Sequence, residues 1–80
     1  MLLSFFINYL KNERNYSIHT VNSYSKDLSQ FFHFLGLEFS DVHKVSIDNV
    51  RLWLIELKEQ NFSSKTINRK ISALKNFFNF

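Results

Sequence analysis

A small all-α domain made of two helical hairpins is the fold class this sequence predicts, and three observations carry the expectation. Proline is absent and Gly36 is the only glycine, so the chain holds almost nothing that breaks a helix. Apolar residues recur with helical periodicity through most of its length. Two stretches, Tyr16 to Phe34 and Phe62 to Phe80, align without a gap at a shift of 46 residues, and each carries a serine ahead of a similar apolar pattern. Eighty residues make one domain, 1–80, and ten phenylalanines, three tyrosines and a tryptophan raise the area each residue can bury, which partly offsets the small size.

The first helix is expected from Leu2 to Glu13, with Leu3, Phe6, Ile7 and Leu10 inward and Phe5 pointing away. The opening MLLSFFINYL is apolar but lacks the basic start and small-residue cleavage site of a signal sequence, so it reads as a packed helix. Arg14, Asn15 and Tyr16 make a short polar turn, and Ser17 is a good N-cap for the second helix, Ile18 to Leu35. That helix ends at Gly36, the natural left-handed C-cap, and turns Val21, Tyr24, Leu28, Phe31, Phe32 and Leu35 inward. Leu37 to Val45 reads as the longest irregular stretch, pinned to the core by Leu37, Phe39 and Val42. Ser46 caps the third helix, where Asp48 suits the positive end of the helix dipole and Val50, Trp53, Leu54 and Leu57 face the core, leaving Leu52 and Ile55 off that arc. Ser63 or Ser64 caps the fourth, which runs to the chain's end with Ile67, Ile71, Leu74, Phe77 and Phe78 inward. The absence of a stop signal before Phe80 suggests a module of a larger protein.

Charge separates the helices. Phe62 to Phe80 holds Lys65, Arg69, Lys70 and Lys75 and no carboxylate, while the whole chain is only +3. On a helical wheel Lys65, Asn68, Arg69, Ser72, Asn76 and Asn79 fall opposite the apolar arc. Shifted by 46, their counterparts are His19, Asn22, Ser23, Lys26, Gln30 and His33. A face without aspartate or glutamate suits an anionic partner such as a nucleic-acid backbone; the alternative is a solvated lysine-rich face. Ser17 with His19 and Thr20, and Ser63 with Lys65 and Thr66, put hydroxyls and a basic group beside free helix-start amides, which can accept a phosphate as well as cap the helix. Asn68, Arg69, Ser72 and Asn76 and their counterparts Asn22, Ser23, Lys26 and Gln30 have the donor and acceptor types that read base edges, and Arg69 can serve a guanine edge or a phosphate with two bonds.

Little points to catalysis. With no cysteine there is no disulfide framework or thiolate metal site, which fits a cytoplasmic protein, and no apolar run is long enough to span a bilayer. His19, His33 and His43 include no pair three or four apart, so no local two-histidine metal clamp forms. Glu56 and Glu59 share a helix side but read as solvated, Tyr9, Tyr16 and Tyr24 could be nucleophiles only if something activated them, and there is no glycine-rich phosphate loop. No catalytic residue, metal or cofactor is expected.

The run YSIHTVNSYSKDLSQFFHFL, followed downstream by VRLWLIELKEQN and then SSKTINRKISALKNFFNF, resembles the N-terminal core-binding domain of tyrosine recombinases, the phage-integrase family, and is most similar to its Xer-like and bacterial integrase members. The resemblance rests on Thr20, Tyr24, Asp27, Leu28, Phe34 and Leu35 in the first block and Thr66, Arg69, Ser72, Ala73, Leu74, Phe77 and Phe78 in the last, and covers essentially the whole chain. It implies a SAM-like four-helix orthogonal bundle whose second and fourth helices cross the major groove of double-stranded DNA. It also implies a separate C-terminal domain that carries the nucleophilic tyrosine, and a parent protein that self-associates on DNA. With a charge of only +3, the module alone is expected to hold DNA weakly. The competing reading is a helical protein-interaction domain that binds through Phe5, Leu52 and Ile55.

Overall fold

The computed structural model describes the backbone of residues 2–79 and the side chains of residues 3–79. Four α-helices run in order: α1 (Leu2–Asn12), α2 (Ile18–Leu35), α3 (Ile47–Glu59) and α4 (Ser64–Phe78), and the described residues contain no strand. The expected all-α class and all four helices are present. The stretch expected to be irregular instead contains a short 3-10 helix, Phe39–Lys44, kinked at Asp41. Phe80, aligned by sequence with Phe34, lies outside the described residues.

Each boundary has a local cause. Ser17, Ser46 and Ser63 sit in extended backbone and accept a hydrogen bond from the amide three residues on, which satisfies a helix-start donor. Of the two serines considered for α4, Ser63 is the cap. At the exit of α2, Gly36 takes φ 69°, and the Gly36 and Leu37 amides return to the His33 and Phe32 carbonyls. Two asparagines perform the same task where glycine is absent: Asn15 (φ 54°) follows α1 and Asn61 (φ 63°) follows α3. Asparagine tolerates that region better than other side chains, which is how a chain with one glycine makes three sharp exits.

The core draws on every helix. Phe6, Leu10, Val21, Leu28, Phe31, Phe32, Trp53, Leu57, Ile67, Leu74 and Phe77 are buried together, and Leu37, Phe39 and Val42 pack against them as expected. Aromatic contacts tie the layers, with Phe77 packed edge-on against Phe6 at 5.2 Å and Phe31 tilted against Trp53 at 5.1 Å between ring centres. Phe78, expected to face inward, is 43 % exposed. The 3-10 helix lays Phe39 over Phe32 and Phe77, and among the described residues Phe39 makes no such ring contact with Phe78.

Candidate nucleic-acid interface

The starts of α2 and α4 are built alike. Ser17 has φ −62° and ψ 156°, and Ser63 has φ −66° and ψ 156°. Each serine Oγ accepts from the threonine amide three residues on at 3.2 Å, and each donates to that threonine's Oγ1, at 3.2 Å for Thr20 and 3.1 Å for Thr66. The serine hydroxyls are therefore engaged in capping, while the threonine hydroxyl protons remain to be donated. His19 and Lys65 stand exposed beside them.

Along the flanks, Asn22, Lys26, Lys65 and Asn68 are exposed and have no side-chain partner among the described residues. Ser23 and Ser72 are half-buried. Asn76 is partly withdrawn, because its amide nitrogen donates to the Ser72 carbonyl at 2.9 Å within the same helix. Of the residues proposed from sequence as contacts on these two helices, Thr20, Ser23, Thr66, Ser72 and Asn76 are of intermediate exposure and the others are exposed.

Arg69 is not free. Its Nε donates to Asp27 Oδ2 at 3.0 Å and its Nη2 to Asp27 Oδ1 at 2.9 Å, so the fork is closed on a carboxylate from α2. This bond raises the Arg69 pKa above its ordinary value, with burial opposing it. Lys70 Nζ donates to the same Oδ1 at 2.9 Å and to Gln30 Oε1, and lies over the rings of Trp53 and Phe62. Asp27 and Lys70 are 1 % and 2 % exposed, whereas the Arg69 side chain is 43 % exposed. Of the four positive charges between Phe62 and Phe80, Lys70 thus belongs to the interior and not to the outer face. Sequence reasoning missed this cluster although a signal was present. Lys70 stands one helical turn from Ile67 and Leu74 and two from Phe77, all buried, and a lysine on an apolar arc needs a buried anion.

The consequence for charge is larger than the net value suggests. Asp27 is the only carboxylate on α2 or α4, and it is buried, so neither helix exposes an acidic group. The remaining acids lie on the exit of α1, the 3-10 segment with its cap, and α3. Among the described residues no three histidine or acidic side chains are grouped so that they could hold a metal, and no helix is long and apolar enough to cross a membrane.

Fold and site together define a small helical module in which two similarly capped helices expose cations and amides but no carboxylate. The chain belongs to the phage integrase N-terminal SAM-like domain family, whose model matches residues 3–80. It is similar to proteins named tyrosine recombinase XerC: 43 % identical over 76 residues to that of Listeria welshimeri, 42 % over 79 residues to that of Anoxybacillus flavithermus, and 44 % over 75 residues to that of Staphylococcus haemolyticus. These alignments take in 94 %, 98 % and 94 % of the chain. The chain spans about a quarter of the length of these relatives, 25 %, 26 % and 25 % respectively. No solved structure matches it.

Proposed function

We propose that this domain binds and positions duplex DNA for a tyrosine site-specific recombinase, in which cutting and rejoining of strands is done by a catalytic domain outside residues 1–80. The observation that carries the reading is the burial of the one carboxylate on α2 and α4, which leaves Lys26, Lys65, Arg69 and Lys75 as the exposed charges of those helices. Ser17, His19, Thr20, Asn22, Ser23 and Lys26 of the α2 region, and Ser63, Lys65, Thr66, Asn68, Arg69, Ser72 and Asn76 of the α4 region, form the proposed contact set. Four cations meeting roughly four phosphates give a salt slope of about −3.6 in logarithmic affinity. Such a module holds DNA weakly alone, and a second domain on the opposite side of the duplex multiplies the affinity by bivalency.

The test is a mobility shift on duplex DNA at several salt concentrations. Lys26→Glu with Lys65→Glu abolishes the shift on this reading, and Leu52→Ser with Ile55→Ser leaves it intact. Arg69 is unsuited to charge reversal, since a glutamate there would face buried Asp27 and test folding instead. Phe5, Leu52 and Ile55 are 64 %, 55 % and 54 % exposed, so the opposite pattern of results would favour a protein-binding face.

A further inference from the structure

We propose that Asp27 is a positioning residue, one that holds the Arg69 guanidinium in the orientation in which it meets DNA; the inference rests on the DNA-binding reading above. Long basic side chains on a helix surface are ordinarily mobile, and a partner must order them on binding. Arg69 is ordered by the fold itself. Both carboxylate oxygens of Asp27 hold its Nε and Nη2 edge, at 3.0 and 2.9 Å, which leaves both Nη1 protons and the second Nη2 proton as donors to an outside group. A flexible arginine thereby becomes a fixed, planar donor standing where α4 meets α2.

Lys70 makes this arrangement work electrostatically. A lone aspartate would cancel the charge of the arginine it orients, and the pair would offer an anion nothing. Here two cations share one carboxylate, and Lys70 is sealed at 2 % exposure against Gln30, Trp53 and Phe62. The cluster carries one surplus positive charge, and Arg69 is its only exposed cation.

Charge counting and positioning predict opposite signs for one substitution. Asp27→Asn takes the net charge from +3 to +4, which by charge alone should tighten binding to an anion. If Asp27 positions Arg69, affinity for a fluorescein-labelled duplex of mixed sequence falls instead, by about tenfold, the scale of one well-placed arginine contact. The same substitution in an Arg69→Gln background causes no further loss. Circular dichroism of each variant gives the folded fraction by which affinities are normalised. Should Asp27→Asn fail to fold, Asp27→Leu with Lys70→Met removes the buried pair at constant net charge and is expected to show the same loss, again only when Arg69 is present. Equal losses in both backgrounds, or tighter binding, overturn the inference. A wild-type chain that fails to shift duplex DNA, or a shift indifferent to Lys26→Glu with Lys65→Glu, overturns the DNA reading itself. A charge-sensitive shift with no coupling between Asp27 and Arg69 removes only the positioning role.

Discussion

α2 and α4 are matched in construction and mismatched where they touch. Their serine caps share backbone angles and bonding, and the aligned pairs Val21 with Ile67, Leu28 with Leu74 and Phe31 with Phe77 are all buried. Three other pairs part company. Tyr24 is half-buried where Lys70 is fully buried, Asp27 is opposed by the small Ala73, and Phe32 is 2 % exposed where Phe78 is 43 % exposed. A true repeat would have set an aspartate or a lysine on both helices, with like charges near one another in the interior. Because the carboxylate stands on α2 and the lysine and arginine on α4, the contact is complementary, and similar helices are joined by what they do not share.

The largest expected effect comes from breaking that complementarity. Asp27→Ala leaves Lys70 buried with Gln30 as its only hydrogen-bond partner and should cost about 3–5 kcal/mol in urea unfolding followed through Trp53, while Asp27→Leu with Lys70→Met recovers most of the loss because an apolar pair carries no desolvation cost. In a domain of this size such a loss is a large part of the whole stability. The aromatic doublets sharpen the comparison next. Phe32→Ala is expected to cost about 3–5 kcal/mol. Phe78→Ala, at the aligned position, should cost only about 1 kcal/mol because nearly half of the ring is already in water. Equal losses at the two sites would mean that Phe78 is as well covered as Phe32.

Where the helices agree, their responses should agree. Ser17→Ala and Ser63→Ala should each remove about 1 kcal/mol, within error of one another, since each deletes the same pair of bonds, one accepted and one donated. The smallest effect is at high pH. Burial pushes the Tyr24 phenol above its ordinary value, and Tyr16 and Asp27 add to the shift. A raised acid holds its proton longer in the folded chain, so its stabilisation is complete below about pH 10 and is lost as pH rises through the folded value. Tyr24→Phe should flatten that alkaline limb of the stability curve, measured by thermal melts across it.

Much of the site was legible before any coordinates. Ser17 and Ser46 announced two helix starts, the Ser63-Ser64 pair a third without saying which serine caps it, Gly36 announced one stop, and the acid-poor flanks stood out by composition alone. Arg69 was legible as a donor but not as a held one, because its partner lies 42 residues away on another helix. Asn15 is legible only as a polar turn residue and Asn61 carries no clear stop signal, since asparagine only tolerates the left-handed region whereas glycine adopts it freely.

By itself the sequence determined the helices, their caps, the apolar arcs and the family, because each depends on neighbours within a turn or two or on the order of residues along the chain. The tertiary structure decided which cation is spent in the interior, which phenylalanine of each doublet is covered, and that the only acid of α2 and α4 is hidden from solvent. Those outcomes depend on what a second helix brings alongside. Local periodicity can say that a side chain faces inward, but not what it will meet there.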